Sequence, residues 1–165
     1  MAVLPGSEAG DVWEDRGTLN GTQMTRIDMI EDDEQLESAN YKHSELTEVI
    51  IKAFFKVYNA LGYGFLEKVY ENAMLHELTT MGLTVKSQHP ISVVYDSVQV
   101  GIYYADLLVE DLVIVELKAA EDLCEEHECQ LINYLKATDK EVGLLLNFGW
   151  KPRIKRKVHS NSYLR

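Results

Sequence analysis

A chain of 165 residues is long enough to bury a core as one domain, and its 46% apolar content is that of a globular protein. No apolar run approaches the ~20 residues of a membrane span. The first ten residues also lack the basic flank and long apolar core of a signal peptide, so the chain is expected in the cytoplasm. The formal net charge of -11 looks wrong for a nucleic-acid partner until its distribution is read.

Residues 1–48 hold twelve acidic and three basic side chains, so the remainder of the chain is close to neutral. From Lys151 onward there are six basic residues and no acidic one. An acidic head and a basic tail suit contact with a polyanion or masking of one terminus by the other. A solvated cluster of terminal charges is the plain alternative. Cys124 and Cys129 match no zinc spacing and are too few for a disulfide framework. Reduced thiols are expected.

Residues 1–42 read as an acidic, disordered leader. Gly6, Gly10, Gly17 and Gly21 interrupt it, and Glu31–Glu34 is a run of like charge, with at most a short helix near Ile27–Leu36. Residues 43–165 read as the folded domain, ending in the basic tail. Ser44 is placed to cap a first helix whose stripe is Leu46, Val49, Ile50, Ala53, Phe54, Val57 and Leu61, with Gly62 to stop it. A second helix is predicted from about Phe65 to Met81.

The hydrophobic period then changes to two. Strands are predicted over Leu83–His89, Ile91–Tyr95, Val98–Leu108 and Leu112–Lys118, with Pro90 separating the first two. Turns are expected at Asp96-Ser97 and near Glu110-Asp111. A third helix follows over Leu123–Thr138, then a short central strand, Val142–Phe148, and an edge strand, Lys151–Val158, where Pro152 is tolerable. The order α-α-β-β-β-β-α-β-β describes an α/β fold, a mixed β-sheet flanked by helices.

Within the strands, three charged residues interrupt an apolar run: Asp106, Glu116 and Lys118. Alternation puts Glu116 and Lys118 on one face while Leu117 points away. Burying charge is costly unless it is paired or binds a metal. Carboxylates are the ligands a hard divalent cation takes, the Leu117 carbonyl can add another, and an ammonium can orient water or stabilise charge on a phosphate. The bland reading is a surface ion pair worth under about 1 kcal/mol. Register decides between them. A two-residue turn at Glu110-Asp111 sets Asp106 opposite Val115, facing away from Glu116. A three-residue loop, or an equivalent bulge, sets Asp106 opposite Glu116.

With these residues the chain resembles the PD-(D/E)XK nuclease superfamily, and more narrowly the small bacterial GxxExxxxP family. The resemblance runs from about Leu46 to Val158. It rests on Leu61-Gly62-Tyr63-Gly64-Phe65-Leu66-Glu67-Lys68-Val69-Tyr70-Glu71, on Tyr104-Ala105-Asp106-Leu107-Leu108, on Val115-Glu116-Leu117-Lys118-Ala119 and on Gln130-Leu131-Ile132-Asn133-Tyr134-Leu135. The proline of the superfamily's name is absent, since Ala105 precedes Asp106. The resemblance implies a restriction-endonuclease-like fold and a Mg²⁺- or Mn²⁺-dependent nuclease acting on DNA. Asp106, Glu116, the Leu117 carbonyl and Glu67 would hold the metal, and Lys118 would be the catalytic ammonium. Glu71, one turn after Glu67, is a weaker candidate.

Gln130 and Tyr134 match a Gln-x-x-x-Tyr block. Gln130 is expected to hold a phosphate or an active-site carboxylate, and Tyr134 the backbone of bound DNA; polar packing at the sheet is the alternative. His127 shares their face and reads as a structural hydrogen-bonder. Lys151, Arg153 and Lys155 are candidate phosphate contacts. Trp150 and Tyr163 can stack on bases, although packing into the core or an edge suits Trp150 equally. The competing functions are a catalytically inactive nucleic-acid-binding or assembly module that keeps the fold, and another phosphate-ester hydrolase. A homodimer is expected, because so small a body offers little surface to grip a duplex.

Overall fold

The computed structural model describes residues 42–160. Residues 1–41 of the expected leader, with the helix expected near Ile27–Leu36, and Tyr163 lie outside the described residues. Eight elements follow in order: α1 (Ser44–Leu61), α2 (Glu67–Thr80), β1 (Val85–Tyr95), β2 (Val98–Val109), β3 (Val113–Lys118), α3 (Glu125–Lys136), β4 (Val142–Asn147) and β5 (Arg153–Val158). The strands form one sheet in the order β1-β2-β3-β4-β5. Neighbours are antiparallel except β3 and β4, which are parallel and joined through α3. The fold is the expected α/β arrangement of a mixed sheet between helices.

Two expectations need correction. The strands predicted on either side of Pro90 are one strand, β1. Among the described residues this strand lies at the sheet edge and pairs only with β2, so the missing proline N–H removes little from the ladder. Ser44 does not cap α1 but is its first residue. The cap is His43, at φ 54°, whose carbonyl accepts the Thr47 N–H at 2.9 Å.

The sheet has a core on each face. Against one face, α1 and α2 bring Phe54, Tyr70, Met74 and Leu78 onto Leu107, Val115, Leu117, Leu144 and Leu146. Tyr70 stacks on Phe148 with ring centroids 4.2 Å apart. Against the other face, α3 brings Leu131, Tyr134 and Leu135 onto Leu108, Ile114 and Leu145. Residues 113–117 of β3 and all of β4 are buried, as parallel strands covered on both faces must be. At Gly143 α3 comes close to the sheet, and a Cβ there would lie 2.7 Å from Leu131 Cδ1. Each fully buried large aliphatic or aromatic side chain contributes roughly 1.5–3 kcal/mol. The site described next therefore stands on a rigid double-sided core.

Candidate active site

The register of the central hairpin brings Asp106 to Glu116. The β2–β3 ladder pairs Val109 with Val113, Leu108 with Ile114, and Leu107 with Val115. Glu110 and Asp111 turn at φ 53° and 57°, and Leu112 is the extra residue that shifts the pairing. Continued by one step, this register sets Asp106 opposite Glu116. There the strands part. Asp106 Oδ2 takes the Leu117 N–H at 2.7 Å in place of a ladder bond. The polar groups of Leu117 point to the β2 side, so its carbonyl opens onto the same fork. The Lys118 carbonyl points the other way and accepts the Phe148 N–H at 2.7 Å.

Around the fork stand four carboxylates and the half-buried ammonium of Lys118. Lys118 Nζ is 2.8 Å from Glu116 Oε1. Glu116 Oε2 is buried with no hydrogen-bond partner among the described residues. Glu67 is exposed at the first turn of α2. Glu71, one turn later, is buried and accepts hydrogen bonds from Lys68 at 2.8 Å, Ser87 at 3.0 Å and Gln88 at 3.0 Å. Gln88 also reaches Asp106 Oδ1 at 3.3 Å, tying the α2 carboxylates to the strand pair.

The electrostatics follow from burial and crowding of like charge. Burial, then the neighbouring Asp106, pushes Glu116 up to about 7, and Lys118 offsets only part of that. Asp106 is raised first by burial and then by Glu71 and Glu67, against the Leu117 amide and Lys118. Burial pulls Lys118 down, but its bond to Glu116 and the charges of Glu116, Glu67 and Asp106 outweigh it and hold it above the ordinary lysine value.

Hard-cation chemistry fits this donor set. The ligating atoms available are oxygens, one of them an orphaned buried carboxylate oxygen. No group of three or more His, Cys, Asp or Glu side chains closes around an ion among the described residues. Mg²⁺ binds commonly through one or two carboxylates, keeping water in its other positions.

Gln130 and Tyr134 sit beside the fork on α3. The Gln130 amide donates to the Tyr134 hydroxyl at 2.7 Å. Burial raises the Tyr134 phenol, and the charges of Glu116, Lys118 and Asp106 all reach it. Both residues line a groove of about 860 Å³ between α3 and the β1–β2 hairpin, with Val93, Val94 and Tyr103 on its other wall. The fork carboxylates do not line this groove. His127 accepts the Cys124 N–H at 3.3 Å, a structural role at the start of α3. Cys124 and Cys129 are free and exposed.

The basic candidates of β5 pair with acids of α3 and of the loop before it. Arg153 and Lys155 project from β5 towards Asp122 and Glu128, each at 3.7 Å, and Lys157 also pairs with Glu128. Lys151 is exposed at the turn before β5. Trp150 is 64% exposed and packs edge-on against Tyr63, so it belongs to neither the core nor a strand edge.

Gln88 was not legible as a site residue. The one signal is a polar Ser87-Gln88-His89 stretch before a proline, in a strand otherwise rich in β-branched residues; there Gln88 takes φ 51°. Left-handed backbone in a non-glycine residue is a cost that functional sites often carry.

Among the described residues no helix is long and apolar enough to cross a membrane. No curated protein and no solved structure matches the chain. The PD-(D/E)XK nuclease superfamily matches residues 44–158, from the first residue of α1 to the last of β5. With most of its length and every described element inside that match, the chain belongs to the PD-(D/E)XK nuclease superfamily.

Proposed function

We propose that the protein is a cytoplasmic, Mg²⁺- or Mn²⁺-dependent nuclease of the GxxExxxxP type that hydrolyses phosphodiester bonds in DNA. The observation that carries this reading is the fork itself. Asp106 lies one step past the Leu107–Val115 pair and takes the Leu117 N–H, Lys118 lies 2.8 Å from Glu116, and one oxygen of Glu116 is buried without a partner among the described residues.

In this reading Asp106, Glu116 and the Leu117 carbonyl hold the cation, and Glu67 completes the set from α2. A bound divalent cation supplies Lewis-acid charge at the scissile phosphate. Lys118 neutralises charge that develops on the phosphate oxygens, and Glu116 fixes its position. Glu71 and Gln88 position Asp106. Gln130 and Tyr134 hold the nucleic-acid backbone on the α3 side, while Lys151, Arg153 and Lys155 make outer phosphate contacts. The active species in this reading is a homodimer joined through the β1–β2 hairpin.

The test is cleavage of labelled single- and double-stranded DNA with Mg²⁺ or Mn²⁺. Wild type is expected to cut only with metal. Glu116→Ala abolishes cutting, and Lys118→Ala lowers its rate by about 10²–10³, the scale of losing one preorganised electrostatic group. Cutting that survives Glu116→Ala overturns the assignment of the site. A wild type that neither cuts nor binds Mg²⁺ in calorimetry favours the inactive binding module.

A further inference from the structure

Three loops gather beyond Lys118, at the ends of the parallel strands β3 and β4. They are the α1–α2 loop (residues 62–66), the β3–α3 loop (119–124) and the β4–β5 loop (148–152). Asn147 ties the last two together, giving its amide to the Ala120 carbonyl and accepting the Ala120 N–H, each at 3.0 Å. At Gly149 a Cβ would lie 2.3 Å from the Ala120 carbonyl oxygen, so only glycine permits that contact. Tyr58 donates to the carbonyl of Trp150 at 2.8 Å. Tyr70 braces the first loop, donating to the Gly62 carbonyl at 2.9 Å and accepting the Phe65 N–H at 3.2 Å.

This rigid frame holds apolar side chains out in water. Tyr63, Phe65, Leu66 and Trp150 are 49–80% exposed, and the Tyr63 and Trp150 rings meet edge to face at 4.9 Å. Ordering large apolar groups at the surface has a cost and returns no burial, so the arrangement calls for a ligand. Glu67 follows Leu66 directly, which leads the patch into the carboxylate fork. Lys68, Lys151 and Arg153 flank it, and Lys151, Arg153 and Trp150 share a cavity of about 470 Å³ with Glu121 and Asp122. Flat aromatic faces beside cations, next to a phosphodiester site, match the chemistry of an unpaired nucleotide. In a duplex the base faces are already stacked and unavailable.

We propose that Tyr63 and Trp150, with Phe65 and Leu66, form a stacking platform for unpaired bases, which directs single-stranded nucleic acid or frayed ends into the fork. This selectivity rests on the nuclease reading; the stacking itself is tested without cleavage. The probes are fluorescein-labelled dT₁₅, the same length of rU, and a 15-base-pair duplex. Anisotropy is read on the full chain in EDTA, with melting curves confirming that each variant folds. Trp150→Ala and Tyr63→Ala are each expected to weaken dT₁₅ at least about fivefold, with duplex affinity held within about twofold and Trp150→Phe keeping most of the affinity. Comparing dT₁₅ with rU tells DNA from RNA as the source of the bases.

Equal loss on single strands and duplex overturns the proposal, as does no loss, or no binding of single strands by wild type. A wild-type dimer that Trp150→Ala splits overturns it in favour of self-association. If the stacking effect is found but no metal-dependent cutting, the platform stands and the nuclease reading fails. If cutting is found and is indifferent to Trp150 and Tyr63, the nuclease stands and the platform fails.

Discussion

Glu116 is the side chain whose presence is hardest to justify by stability. It is 3% exposed, one of its oxygens is unpartnered, and burial beside Asp106 pushes its carboxyl up to about 7. An unfolded glutamate titrates near 4.5, so between these values the native protein binds more protons than the unfolded chain. The contribution of Glu116 is fully present below the unfolded value and is lost as pH rises through about 7. Without metal, the melting temperature of wild type is therefore expected to fall between pH 5 and pH 8. Glu116→Gln removes the buried charge, which flattens that slope and makes the variant the more stable protein at pH 8 by on the order of 1–3 kcal/mol. Mg²⁺ at pH 8 is expected to raise the wild-type melting temperature and leave the variant unmoved. Calorimetric melting at the two pH values, with and without metal, checks all three. A variant that is less stable at pH 8 would make Glu116 a structural ion-pair partner of Lys118. Asp106, Glu116 and Lys118 were legible because charges interrupting an apolar run demand an explanation. Glu71 was harder to read because its significance comes from Ser87 and Gln88, which fold against it from a distant strand.

At the scale of elements, the central hairpin shows where sequence reading stops. Alternation placed Glu116 and Lys118 on one face and reduced the position of Asp106 to a choice between two registers. The choice depends on whether Leu112 is paired or bulged, which Glu110-Asp111 chemistry alone does not specify. Pro90 misled as a strand boundary because only the sheet order reveals that β1 is an edge. The same hairpin carries a property that no single residue has. Beyond Leu107 it leaves β3 behind and projects as a two-stranded ribbon, with Val94, Tyr95, Val98, Val100, Ile102, Tyr103 and Tyr104 48–75% exposed. Such a ribbon is marginal in water alone. No lysine or arginine occurs from Ser87 to Leu117, so the ribbon suits an apolar partner better than a polyanion. A second copy meets that need, because antiparallel ribbons pair symmetrically about a two-fold axis. Light scattering is expected to give twice the 18.8 kDa chain mass for wild type and the single mass for the double variant Tyr95→Lys, Val98→Lys. A wild-type monomer at micromolar concentration removes the dimer from the reading.

At the scale of the whole molecule, the charge distribution acquires a geometry. Residues 1–41 carry ten acidic and two basic side chains. The chain enters the fold beside the basic strand β5, where Arg156 donates to the Lys42 carbonyl at 2.5 Å and Lys42 pairs with Glu141. Residues 1–41 are thus tethered to β5 through Lys42, which gives their carboxylates a high effective concentration for Lys151, Arg153 and Lys155, the cations proposed to meet phosphate. Two polyanions competing for one basic surface is a salt-screened contest. A chain beginning at Lys42 is expected to bind single-stranded DNA several-fold more tightly than the full chain at ~50 mM salt, and the gain should fade towards ~0.5 M as screening shortens the reach of both competitors. Supplying residues 1–41 as a separate peptide restores little inhibition, since tethering provides the competition. Anisotropy titrations of both chains across the salt range make the comparison. Equal affinities at low salt would detach the acidic segment from nucleic-acid binding and leave its charge to solubility alone.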